Sequence, residues 1–77
     1  MELKEEEKIL HTNYINDVLL NERWEIVYIY NKKLDSYYYK NSFDTHIAFY
    51  EKTDVQDFVI NCIDNRRKRI LERKNII

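Results

Sequence analysis

Hydrophobic positions change their spacing twice along the chain, and each change marks an element. In the first twenty residues Leu3, Leu10, Tyr14 and Val18 recur at intervals of four or seven, with Ile15 and Leu19 alongside. That is the stripe of an amphipathic helix, and it predicts one from about Glu2 to Leu20. Thr12, Asn13 and Asn16 are poor helix formers, so a break near residue 12 fits the same reading. From Arg23 the period falls to two. Trp24, Ile26, Tyr28 and Tyr30 alternate with Glu25, Val27 and Ile29, a β-branched and aromatic run that predicts a strand. Ser36–Lys40 and Thr45–Glu51 predict two more, and the short polar connectors favour sequential antiparallel pairing. After Thr53 the helical spacing returns: Val55, Phe58, Val59, Cys62 and Ile63 form an apolar face, which Ile70 and Ile77 continue at intervals of seven. Thr53 and Gln56 stand three apart in the arrangement of a capping box, so this helix should begin at Asp54. The expected fold is α+β: a three-stranded antiparallel meander flanked by N- and C-terminal helices, in the order α-β-β-β-α.

Composition sharpens this picture by what it lacks. The 77 residues contain no glycine and no proline. Glycine-rich phosphate-binding loops cannot form, because their backbone must approach the anion closely. Tight Asn-Gly hairpins are excluded too, so turns must place Asn, Asp or Ser at their strained positions. Asn31, Asp35, Ser36, Asn41, Ser42 and Asp44 are the candidates. The length leaves room for one small domain over residues 1–77 and no second one. No apolar run approaches the roughly 20 residues of a membrane span, so no membrane partner is expected. An acidic start without a signal-like apolar segment, and a single cysteine, favour a reducing, cytoplasmic setting. The wealth of Asn, Lys, Ile and Tyr suits an AT-rich genome, such as that of a low-GC bacterium or its phages.

Charge is unevenly spread around a net of −1. Glu2, Glu5, Glu6, Glu7 and Asp17 against Lys4 and Lys8 leave the first twenty residues at −3, whereas Arg66, Arg67, Lys68, Arg69, Arg73 and Lys74 against Asp64 and Glu72 leave residues 64–77 at +4. Glu5–Glu7 read as a solvated first turn that complements a helix dipole.

The sheet is where the sequence points to function. Alternation sends Val27, Ile29, Ile47 and Phe49 to one face and Trp24, Ile26, Tyr28, Tyr30, Ala48 and Tyr50 to the other, with Tyr37 and Tyr39 opposing Tyr38. Both faces are apolar, where a half-solvated sheet normally shows one polar set. An aromatic surface left open would be an interaction site, and tyrosine brings rigid area with a hydroxyl. The competing structural account is that a helix covers each face, or that the rings merely pair across strands. Tyr28, Tyr30, Tyr37, Tyr39 and Tyr50 are therefore the expected partner-binding residues. Arg66, Arg67, Arg69 and Arg73 are the expected electrostatic ones, steering an acidic protein. The function expected is that of a non-catalytic regulator or inhibitor of the kind phages and mobile elements encode, acting by steric occlusion. Homodimerisation through the aromatic face or through Ile63, Ile70 and Ile77 fits as well.

A nucleic-acid partner is the alternative. Arg66, Arg69 and Arg73 share a helix face that could meet phosphates, with tyrosines stacking on bases. The order α-β-β-β-α is similar to that of double-stranded RNA-binding domains. The glycine- and proline-containing loop of that family is absent, and the basic cluster falls late in the last helix rather than at its start, so no residue role carries over. Catalysis finds no support in spacing. His11, His46 and Cys62 form no nucleophile pair, Cys62 falls on the apolar stripe, and no metal-ligand or cofactor motif occurs.

Overall fold

The computed structural model describes residues 2–75. Strand β1 (Glu7–Asp17) is followed by β2 (Glu22–Asn31), β3 (Ser36–Asn41), β4 (Ile47–Phe49) and a C-terminal helix, α1 (Val55–Asn75). The four strands form one antiparallel sheet in chain order, β1-β2-β3-β4.

The architecture is α+β, with two corrections. The sheet has four strands rather than three, and the segment expected to be an N-terminal helix is strand β1. The physical reason lies at Leu10. Ile9 pairs with Ile29 and His11 with Tyr28, so Leu10 is the extra residue of a bulge, and the bulge breaks the two-residue alternation that would have marked a strand. What remained visible was an apolar spacing that suits a helix. With the first helix gone, the element order no longer matches that of double-stranded RNA-binding domains. The third predicted strand is also shorter, Ile47–Phe49, because residues 42–46 form a loop held by Asn41.

Turns are built as a glycine-free chain must build them. Asn31, at the end of β2, accepts the amides of Lys33 and Leu34 on its Oδ1 at 2.9 and 3.0 Å. Asn41, at the end of β3, accepts those of Phe43 and Asp44, both at 2.9 Å. Asn21 and Asp35 close the first two hairpins in the left-handed region, at φ 52° and 48°. Asn and Asp tolerate that region better than other side chains do.

Helix α1 starts one residue later than the capping box predicts. Asp54 is the cap: its Oδ1 accepts the Gln56 amide at 2.7 Å and its carbonyl accepts that of Phe58 at 3.0 Å. Thr53 instead donates its amide to the Phe49 carbonyl, closing the turn after β4.

The core lies between α1 and one face of the sheet. Trp24, Ile26 and Ala48 meet Phe58, Val59 and Cys62, and Ile15, Tyr39, Phe43, Val55 and Ile63 pack around them. The helix enters over Tyr39 and ends beyond the β1–β2 hairpin, where two ion pairs tie it down. Arg66 grips Glu22 through two bonds of 2.7 and 2.6 Å, and Arg67 grips Asp17 at 2.6 Å. Asp17 is buried; the Arg67 guanidinium holds its carboxyl below the usual range against the opposing effect of burial. Arg66 does the same for Glu22 and also lies 4.0 Å over the Phe43 ring.

The outer face carries a second, smaller cluster of Val27, Ile29 and Tyr38. No helix covers it. The leading segment turns back over it instead: Lys40 Nζ reaches the Glu2 carbonyl at 3.2 Å, and Glu7 accepts from Lys40 at 3.0 Å, from the Lys4 amide at 2.8 Å and from the Tyr38 hydroxyl. Burial raises the pKa of Glu7, yet these donors outweigh it and hold its carboxyl below the ordinary value.

Candidate functional site

The register of the sheet brings all five predicted tyrosines onto one face. Tyr28 on β2 stands opposite Tyr39 on β3, and Tyr30 opposite Tyr37. Tyr50, just past β4, donates its amide to the Tyr37 carbonyl and so joins the same row. Alternation along each strand fixes this outcome: residues directly opposite in an antiparallel pair point the same way.

The rings form a continuous layer. Tyr28 sits at its centre, with centroids 5.1 Å from Tyr39 and 5.8 Å from both Tyr37 and Tyr50. Tyr30 extends the layer at 4.9 Å from Tyr37. At the other end Tyr39 stacks against Phe58 of α1 at 6.2 Å, and His46 lies flat on Phe58 at 5.7 Å. The patch is therefore anchored to the core by Tyr39 and grows outward from the start of the helix. Exposure follows that gradient: Tyr28, Tyr30 and Tyr39 are half-buried, whereas Tyr37 is 45% and Tyr50 57% exposed.

The open aromatic surface shares the helix's face of the sheet, beyond the stretch that α1 covers. Of the β3 tyrosines, Tyr38 alone is withdrawn from it. That ring points to the outer face, buried among Glu7, Asn31 and Phe49.

The hydroxyls keep their protons. Burial raises the pKa values of Tyr28 and Tyr39, and a 2.7 Å hydrogen bond to Asp35 raises that of Tyr30. Each remains neutral and able to donate. Beside Tyr30 stands a residue that the sequence reading passed over, Lys8, whose strand position faces Tyr30 across the β1–β2 pair; Lys32 and Lys33 follow in the next turn, Lys33 lining the outer-face cleft with Glu7 and Tyr38. All three are exposed. The signal for Lys8 was hidden by the bulge, which reverses the face of every β1 residue before Leu10.

The four arginines divide into two pairs. Arg66 and Arg67 are spent on Glu22 and Asp17, so they hold the helix to the hairpin rather than face solvent as a basic stripe. Arg69 and Arg73 are exposed, as is Lys68 between the two pairs. Ile63 and Ile70 are half-buried, and Ile77 lies outside the described residues.

Residues that could carry chemistry are dispersed. Cys62 is buried, with Sγ 3.7 Å from Asn41 Nδ2, and burial together with the Asp44 charge pushes its thiol up to about 11. It packs as a small hydrophobe. His11 meets Asn13 at 3.1 Å on β1. Among the described residues no three His, Cys, Asp or Glu side chains converge as metal ligands, and no helix is long and apolar enough to cross a membrane. No protein-family model, no curated protein and no solved structure matches the chain.

Proposed function

We propose that this protein is a non-catalytic binding module that docks another protein through the tyrosine layer of Tyr28, Tyr30, Tyr37, Tyr39 and Tyr50. The observation that carries the reading is the exposure of Tyr37 and Tyr50 at the margin of a ring layer already fixed to the core. Pre-stacked rings lose little rotamer freedom when covered, and tyrosine is enriched among the residues that dominate binding energies. The partner is an acidic protein surface, because exposed Lys8 stands beside Tyr30 and Lys68, Arg69 and Arg73 give the far end of α1 the same sign. Occlusion of the partner's own site would then be its mode of action, as a small regulator or inhibitor in the cytoplasm, of the kind phages and mobile elements encode.

Nucleic acid is the weaker reading. Two of the four arginines it needs are engaged in ion pairs.

The test is comparative. Proteins retained from a native host extract by the wild-type chain are purified, and their affinities are measured for Tyr37→Ala with Tyr50→Ala and, separately, for Arg69→Glu with Arg73→Glu. A true partner loses at least about tenfold in affinity to the tyrosine pair, and a smaller, salt-dependent amount to the arginine pair. Equal affinity across substitutions of all five tyrosines would remove the proposal. Binding that is lost on nuclease treatment and falls steeply with salt would replace it with the nucleic-acid reading.

A further inference from the structure

Turns in water are usually built from Gly, Asn, Asp and Ser. The β1–β2 hairpin instead carries Val18, Leu19 and Leu20 in succession at its tip. Val18 is 91% exposed and Leu19 63%, with Leu20 half-buried. The tip is not loose chain: the Leu19 amide bonds to Asp17 at 3.0 Å, and Asp17 is buried and clamped to Arg67. The fold therefore holds two aliphatic side chains out in water, where they add nothing to its own core.

The charge left around this tip is positive. Asp17 and Glu22, the carboxylates at its base, are each paired with an arginine. Arg23 alternates with inward-facing Trp24 and so points to the outer side, where its guanidinium lies 4.0 Å over the exposed ring of Tyr14. On the other side α1 runs on past the Arg67 clamp and carries Lys68, Arg69 and Arg73, all exposed. Leu71, one turn after Arg67 and so on the same helix face, is 44% exposed. Over residues 17–23 and 64–73, with Asp64 and Glu72 included, six cations stand against four carboxylates, in a chain whose net charge is −1. The apolar end is the cationic end.

We propose that this end seats on an anionic lipid bilayer, with Val18 and Leu19 entering the boundary between headgroups and acyl chains while Arg23, Lys68, Arg69 and Arg73 meet the headgroup charge. The expectation of no membrane partner rested on the want of a spanning segment, and a hairpin tip need reach only the interface. Apolar insertion or basic attraction alone gives marginal attachment, and stable attachment takes two such signals together. Both meet here. The other occupants fit less well. A protein partner calls for roughly 800 Å² of contact on each side, far more than two aliphatic side chains offer, and nucleic acid gives Val18 and Leu19 no apolar place to enter. A bilayer requires no matching groove.

Such seating leaves the tyrosine layer clear of the membrane. Tyr30 stands eight residues from Glu22 along β2, about 26 Å at the rise of a strand. This inference does not depend on what the tyrosines bind.

Flotation of the full chain with vesicles of phosphatidylcholine, alone or mixed with phosphatidylserine, tests it. The wild type should float with the mixed vesicles at least about tenfold better than with phosphatidylcholine alone, and added salt should weaken that binding. Val18→Ser with Leu19→Ser, and separately Arg69→Glu with Arg73→Glu, should each lower the partition at least about tenfold. Tyr37→Ala with Tyr50→Ala should leave it unchanged. Trp24 emission of each variant confirms that it is folded. Absence of binding to the mixed vesicles overturns the proposal. So does binding that survives the serine pair, which means attraction by charge without insertion, or binding lost with the tyrosine pair, which means contact through the aromatic layer. Serine substitutions that weaken a purified protein partner while vesicles go unbound would assign the tip to that partner and overturn it as well.

Discussion

Asn31 and Asn41 show how much of this fold depends on single polar side chains. Each is buried at a strand end, and each satisfies two loop amides through Oδ1 while its Nδ2 donates elsewhere, to the Tyr38 hydroxyl or to Asp44. Replacing either by Ala strands those amides, and each substitution should cost about 1–3 kcal/mol in urea unfolding followed by the emission of buried Trp24. Asn21 supplies a contrasting case. Its left-handed backbone is the requirement and its side chain is exposed, so Asn21→Val should cost about 1–2 kcal/mol whereas Asn21→Gly should not. The carboxylates set the pH response. Glu7, Asp17 and Glu22 all have folded pKa values below their ordinary ones. A group depressed in the folded state stabilises fully above its unfolded value, and that stabilisation is lost as pH falls through the folded one. The urea midpoint should therefore be level near neutrality and drop below about pH 4, less steeply in Asp17→Asn.

At the scale of elements, legibility tracked whether the evidence for an element was local. β2 was clear because Trp24–Tyr30 alternates without interruption, and α1 because Val55, Phe58, Val59 and Cys62 repeat at helical spacing. β1 was not, since Leu10, Tyr14 and Val18 stand four apart as an apparent helical stripe while the bulge at Leu10 interrupts the strand alternation; the poor helix formers Thr12, Asn13 and Asn16 were the surviving signs of a strand. The roles of Arg66 and Arg67 were illegible for a different reason: their partners are 44 and 50 residues away, and nothing local distinguishes a committed arginine from a free one. The helix start shows the same limit at close range. Thr53-x-x-Gln56 reads as a capping box, but the turn after β4 claims the Thr53 amide. Asp54→Ala should thus cost about 1 kcal/mol and Thr53→Ala distinctly less, by thermal unfolding.

The whole molecule separates a surface that folds it from one that it does not need. Along the tyrosine layer the inner rings stand between those roles: Tyr39 packs on Phe58 within the core, and Tyr28 joins it to the margin. Tyr37 and Tyr50 mainly cover other tyrosines and leave half of themselves in water. Burial of apolar area sets the energetic difference, at about 25 cal/mol per Å². Tyr39→Ala should lower stability by about 2 kcal/mol or more, since it opens the core beside Phe58. Tyr37→Ala and Tyr50→Ala together should lower it by about 1 kcal/mol or less. If the layer exists for docking, the order reverses for affinity: the pair that scarcely affects the melt should weaken the partner most. A melt that falls as far for the Tyr37 and Tyr50 pair as for Tyr39 would mean that the whole layer belongs to the fold, and the exposed rings would then be the edge of a core rather than a face prepared for another protein.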